Sequence, residues 1–311
     1  MNILSIKGGG VRGIIPLIIL KEIEYITGKP IYQLFDNFGG SSIGSLIVTG
    51  LLISDNGDHA KYTAQQMYDL FLTNVSNCFS WTYYSYITSL FGLVSASYTN
   101  CGLMNVTNEF CGTYTTKHLL KPFIFPTYDK KLNKNYYFTP KDNILLTDII
   151  MSTTAAPSYY PAHKVHMNER EYHFVDSGLV STSCTKLVLL DTLSKYEVDK
   201  HSIVMLNLGT GIFDLPETNS DGLAGWAGSI VNTMMNASYE NEMYELSLML
   251  PACNYYNMDV PLDMKYFQMD NISQEALTYY ITETNKWVNN NYDILTTLCD
   301  RLLLNKGMLL T

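Results

Sequence analysis

Gly40-Ser41-Ser42-Ile43-Gly44 has the form G-x-S-x-G, and the run that follows it, Ser45 to Ser54, carries no charge. A serine that attacks an acyl carbonyl must stand out at a sharp strand-to-helix turn, and small neighbours let the backbone make that turn unobstructed. Ser42 is the candidate nucleophile, with Gly40 and Gly44 as the small residues of its elbow. The same pentapeptide also suits an ordinary Gly/Ser loop, so its meaning depends on its surroundings.

Upstream, Ile3, Leu4 and Ile6 make a short apolar strand that enters Lys7-Gly8-Gly9-Gly10-Val11-Arg12-Gly13 and then an apolar helix, Ile14 to Tyr25. Gly8-x-Gly10-x-x-Gly13 satisfies the dinucleotide fingerprint, in which amides at a helix N-terminus cradle a pyrophosphate and an acid holds the ribose. Asp36 is the only acid near enough for that role, and the serine pentapeptide follows it. In a hydrolase, the bare N–H groups of Gly8, Gly9 and Gly10 would instead form an oxyanion hole for the charge that develops as serine attacks. Arg12 would hold the turn or offer positive charge to a phosphate-bearing substrate; as a plain surface arginine it would do neither. Two glycine motifs at consecutive strand-helix junctions favour the hydrolase.

The base must come from further along the chain. Tyr172-His173-Phe174-Val175 alternates as a strand and ends at Asp176-Ser177-Gly178. A carboxylate at a strand end beside small residues can reach a serine hydroxyl. Free aspartate titrates near ~3.9, so it needs desolvation to become a useful proton acceptor. Asp176 could equally cap its own turn. A triad in the order serine, acid, histidine would need His201, which lies in a polar turn before the strand Ile203 to Leu208. His163, His166 and His173 precede the acid and read as surface or hydrogen-bonded residues. The preferred pair is Ser42 with Asp176.

The chain that positions these residues has 311 amino acids, 47% of them hydrophobic, enough for a substantial core. With no repeat or linker it reads as one domain over 1–311, its core motifs in 1–215 and a helical C-terminal part over 222–304. Helices are expected over His59 to Phe71, Asn105 to Phe110, Thr116 to Leu120, Thr147 to Thr154 and Gly222 to Leu250, with two more between Gln274 and Leu304. Pro122, Pro126, Pro140 and the Asp129 to Asn135 run mark loops and hairpin turns. Leu70 to Asn108 holds no charged residue and many aromatics, which suits part of the core, a cap over the site, or membrane-interface docking. Trp226, Met234, Met235, Met243 and Met249 suit core packing or an apolar cap over an acyl-chain groove.

A net charge of -9 and a pI near 5.1 argue against a nucleic-acid binder, which needs clustered Lys and Arg. The six cysteines lack the paired short spacing of zinc sites and read as free thiols in a reducing compartment. The N-terminus shows no cleaved signal peptide and no run suits a transmembrane segment, which suggests a cytoplasmic protein or one peripheral at membranes.

Together these residues resemble the patatin-like phospholipase family. The resemblance is carried by Ile3-Leu4-Ser5-Ile6 before Gly8-Gly9-Gly10-Val11-Arg12-Gly13, by the Gly40 to Gly44 elbow, by Ser152 to Pro161, by Asp176-Ser177-Gly178 and by Leu208-Gly209-Thr210-Gly211, in the family's order. It implies an α/β fold, a three-layer α/β/α sandwich with a mainly parallel central sheet. It also implies a serine lipid acyl hydrolase of phospholipase A type, with a Ser42–Asp176 dyad. Gly8 through Gly13, Val11 and Arg12 included, would bind the oxyanion or substrate, and Gly178 would support the aspartate. Fatty-acyl esters of phospholipids or galactolipids would be cleaved at a membrane surface without calcium or any other cofactor. The alternative is a storage or lipid-binding protein of the same fold. Three positions depart from the family: Lys7 stands where plant members carry aspartate, Ser177 replaces the middle glycine, and Leu179 to Ser183 lacks the usual Asn-Asn-Pro.

Overall fold

A computed structural model describes residues 1–78, 98–179, 183–214 and 230–308. Its centre is strand β1 (Asn2–Ile6), buried along its whole length, as a strand paired on both edges and covered on both faces must be. β2 (Asn37–Gly40), β3 (Phe123–Asp129), β4 (Lys134–Phe138), β5 (His163–Met167), β6 (Arg170–Asp176), β7 (Val204–Leu208) and β8 (Tyr255–Met258) complete one sheet. Its order is β5-β6-β3-β2-β1-β7-β8, with β4 pairing β3. β3, β2, β1, β7 and β8 run parallel, while β4 and β6 run antiparallel to β3 and β5 antiparallel to β6.

Strand alternation divides the core into two layers. Leu4, Ile6, Phe38, Leu206 and Leu208 pack beneath α1 (Ile14–Thr27), α2 (Ile43–Leu52) and the C-terminal helices. Ile3, Ile124 and Met205 face the other way. The expected three-layer α/β/α architecture is therefore what the chain adopts.

Several elements differ from the sequence reading. α3 (Ala64–Cys78) begins after His59 and Tyr62 and runs past Phe71, and α4 (Cys101–Cys111) is nearly twice the expected length. Residues 79–97, with Trp81, Tyr83, Tyr84, Tyr86 and Phe91, lie outside the described residues. Only Thr116–His118 is helical in the next segment, as a single tight turn. Pro126 is not in a loop. It sits inside β3, between the residues that pair with β2 and those that pair with β6, so its missing N–H falls at a change of partner.

α5 (Leu146–Thr153) and α6 (Thr185–Lys195) follow, and α6 supplies Val188 and Leu189 to the second layer. The C-terminal part is not wholly helical, because Tyr255–Met258 joins the sheet as β8 and extends it past residue 215. That strand is four residues long and lacks a clear alternation, so it left no mark in the sequence. Helix α7 (Ile230–Met249) covers the described part of the helix expected over Gly222 to Leu250; residues 215–229, with Trp226, are outside the described set. α8 (Gln274–Asn290) and α9 (Tyr292–Asn305) are the two expected C-terminal helices. The six cysteines are free thiols, and among the described residues no helix is long and apolar enough to cross a membrane.

α9 is tied back to the first strand by a buried amide. Asn2 Nδ2 donates to Leu34 O at 2.7 Å and Leu302 O at 2.9 Å, while its Oδ1 accepts from Asn305 Nδ2 at 2.7 Å. Replacing Asn2 with alanine leaves two buried carbonyls without donors and should cost about 2 kcal/mol. Urea denaturation would show this as a lowered midpoint at constant slope; an unchanged midpoint would mean that water replaces the side chain.

Candidate active site

The register of β1 with β2 pairs Ile6 with Gly40, so the glycine turn after β1 and the serine elbow after β2 emerge side by side. Ser42 has φ 51° and ψ −123°, a strained conformation for a residue with a side chain. The surroundings impose it. Ser41 N donates to Ile6 O at 3.1 Å, Gly44 N to Ser41 O at 2.8 Å, and Ser45 Oγ to Ser42 O at 2.7 Å. Gly44 must be glycine, since a Cβ there would lie 2.2 Å from Ile6 O.

The glycine turn lies against the nucleophile, with a Cβ on Gly8 falling 3.0 Å from Ser42 Cβ. Not all of its amides are available. Val11 N donates to Met269 O at 2.8 Å and Arg12 N to Gly9 O at 3.2 Å, so neither is positioned to meet a substrate oxygen. Gly8, Gly9 and Gly10 donate to no protein group among the described residues. Gly13 instead closes the turn onto α2, where a Cβ would sit 2.6 Å from Ile43 Cγ1. Arg12 is buried rather than on the surface: its Nε donates to Gly9 O at 3.3 Å, and its guanidinium stacks on Phe213 and Phe267. Burial pushes its pKa down to about 10, which leaves it charged at neutral pH.

β6 runs antiparallel to β3 and delivers its last residue, Asp176, to the same edge of the sheet. The Asp176 backbone N–H donates to Ala155 O at 3.0 Å, so the small residues after Thr154 come close enough to hold the aspartate's main chain. Asp176 Oδ1 accepts Gly178 N–H at 2.8 Å, the hydrogen bond of an Asx-type turn. Burial pushes the Asp176 pKa up to about 6, against the opposing pull of Ser42 and of the Gly178 N–H. The desolvation that the sequence reading required is present. Ser177, which departs from the family pattern, places its Oγ 3.2 Å from Ser41 Oγ and links the aspartate turn to the elbow. Residues 180–182 are outside the described set.

Neither rival site assembles. Asp36 lies at the opposite end of β1, where it accepts Asn2 N–H at 2.8 Å and pairs with Lys306, far from any role at the glycine turn. His201 is exposed, His163 pairs with Asp148 and His173 with Glu171, and no histidine among the described residues lines the cavity. Two positioning groups were missed. Thr210 Oγ1 donates to Gly8 O at 2.6 Å and fixes the peptide before Gly9; its signal was the Gly209-Thr210-Gly211 string. Asp259, the residue after β8, accepts Gly211 N–H at 2.6 Å and had no sequence signal.

Ser42, Asp176 and the glycine turn open into one cavity of about 710 Å³. Its walls are mostly apolar, with Leu70, Phe71 and Val75 from α3, Leu103 and Phe110 from α4, and Met235 from α7. The uncharged segment after Leu70 thus contributes a wall of the cavity at both of its described ends. This volume lies within the range of small-molecule binding sites.

Residues 4–189 match the family model described as patatin-like phospholipase. The chain is 26% identical over 357 residues to patatin-like protein 2 of Arabidopsis thaliana, covering 97% of this chain and 83% of that one. It is 29% identical over 217 residues to patatin-like protein 2 of Oryza sativa subsp. indica, covering 63% and 53%. Patatin-15 of Solanum tuberosum is 25% identical over 340 residues, covering 97% and 83%.

The Asp176 carboxyl has a native pKa above its unfolded value, so its contribution to stability is complete below the unfolded pKa and is lost as pH rises through about 6. Asp176→Asn keeps an acceptor for Gly178 N–H and should be more stable than the parent at pH 7.5, by up to about 3 kcal/mol. That gain should vanish below pH of about 4. Urea midpoints at the two pH values would check this, and equal stability at pH 7.5 would indicate a solvated carboxylate.

Proposed function

The chain belongs to the patatin-like phospholipase family, and from that premise we propose that it is a calcium-independent lipid acyl hydrolase of phospholipase A type working through Ser42 and Asp176. The observation that carries this reading is a serine in a strained elbow that shares one apolar cavity with a buried carboxylate whose pKa is raised to about 6.

Asp176 takes the Ser42 proton as Oγ attacks the acyl carbonyl, and the amides of Gly8, Gly9 and Gly10 receive the oxyanion. Collapse breaks the ester C–O bond, and the proton on Asp176 passes to the departing alcohol. Asp176 then deprotonates a water that attacks the acyl-serine, releasing fatty acid and restoring the hydroxyl. A carboxylate with a pKa near 6 is a stronger base than a solvated aspartate while remaining mostly ionised at neutral pH. The single-domain reading belongs to the same proposal and is supported by the Asn2 bridge between the first strand and α9.

Ser42→Ala should lose acyl release by at least about a thousandfold and lose labelling by a fluorophosphonate probe. Asp176→Asn should be similarly impaired in acyl release, and the parent's kcat/KM should rise with pH through an apparent pKa near 6. EDTA should leave the rate unchanged. Full activity in either variant overturns the dyad. A folded parent that neither labels nor turns over lipid would instead be a storage or binding protein.

A further inference from the structure

Lys7 directly precedes Gly8 and lines the same cavity. Its ammonium lies 3.7 Å from the centroid of the Tyr239 ring on α7 and 3.8 Å from Asp259 Oδ2, with the side chain only 15% exposed. At 3.8 Å the carboxylate is an ion-pair partner but is too far for a hydrogen bond. Asp259 Oδ2 is buried and accepts no hydrogen bond, and Lys7 Nζ donates none among the described residues. An ammonium has three N–H donors, and with no protein acceptor among the described residues they are left to the cavity that Lys7 lines. Burial moves the Lys7 pKa down, with Asp259 pulling it back.

The neighbours tie this cation to the candidate chemistry. The residue after it faces Ser42, and Tyr239 is about one helical turn from Met235, whose Cε would be 3.7 Å from a Cβ on Gly178 in the aspartate turn. Asp259 is itself fixed by Gly211 N–H at 2.6 Å and Val260 N–H at 3.0 Å, so it anchors the ammonium without consuming its donors. Arg12 adds a second cation on the same wall, and Glu240, which also lines the cavity, is exposed to screening water.

Building on the acyl-hydrolase reading, we infer that Lys7 is a headgroup subsite, receiving the phosphate of a glycerophospholipid whose acyl carbonyl rests on Ser42. The glycerol unit separates phosphate from scissile ester by a few bonds, so both ends fall within the one cavity. A phosphate oxygen offers the charged acceptor that the unspent N–H groups lack. A galactolipid brings hydroxyls with no charge to set against the ammonium. Lys7 therefore selects phospholipid over galactolipid.

The test uses Ser42→Ala protein and two ether-linked, non-hydrolysable lipids of matched chains in neutral micelles, a dialkyl glycerophosphocholine and a dialkyl galactosylglycerol. Calorimetric titration should show the phosphate lipid binding at least about tenfold tighter. Lys7→Met in that background should abolish the preference, and Lys7→Arg should keep most of it. Because Lys7→Met strands Asp259, the double variant Lys7→Met/Asp259→Asn provides a neutral pair that should show the same loss. Equal affinities in Ser42→Ala, or a preference that survives both methionine variants, overturns the inference. Inorganic phosphate binding as tightly as the lipid would also overturn it, since the site would then hold a free anion. Binding is read without turnover, so a parent protein with no acyl release would refute the proposed function and leave this result standing on its own.

Discussion

Ile6 lies opposite Gly40 on one edge and Leu208 on the other, and that double register is the constraint on which the site depends. A strand paired on both edges cannot slip by a residue without sending Leu4 and Ile6 to the layer built for Ile3. With β1 locked, the turns after β1, β2 and β7 must leave the sheet together. Two close approaches then knit them, Lys7 N–H to Leu208 O at 2.9 Å and Ser41 N–H to Ile6 O at 3.1 Å. The end of the sheet that carries the candidate site is thus a product of ordinary sheet pairing, and it lies where ligands settle in open α/β sheets.

Charge burial is the second theme, and it acts on each group in the direction that desolvation dictates. Asp176 and Asp259 are pushed up, Lys7 and Arg12 are pushed down, and Glu242, whose carboxylate accepts Lys186 N–H at 2.7 Å, rises to about 7. For Asp259 and Lys7 the mutual field offsets part of the penalty. Asp176 has no cation among the causes that shift it, and only Ser42 and the Gly178 N–H oppose its burial.

Much of this was legible in the chain. Glycines and a serine announce turns because only small residues fit there, and Gly44 and Gly8 are indeed within van der Waals reach of their neighbours' backbone or side chains. The run Tyr172 to Val175 showed its period and proved to be a strand ending at the expected aspartate. What could not be read were relations between distant segments. The sequence contains no trace of Met269 O consuming the Val11 amide, of Ser177 reaching Ser41, or of Asp259 beneath Lys7. β8 escaped because four residues hold too little pattern, and Pro126 misled because a proline reads as a break unless its missing donor falls at a change of partner.

The backbone angles at Ser42 carry a consequence for what else could occupy that position. Threonine offers the same alcohol, but a second substituent on its β-carbon collides with the peptide planes when φ is 51°. Stereochemistry therefore excludes the branched homologue before reactivity enters, whereas cysteine is close to isosteric with serine and inherits the geometry intact. The elbow accordingly acts as a filter on which heteroatom can be presented, and a thiol is the substitution that its shape leaves open.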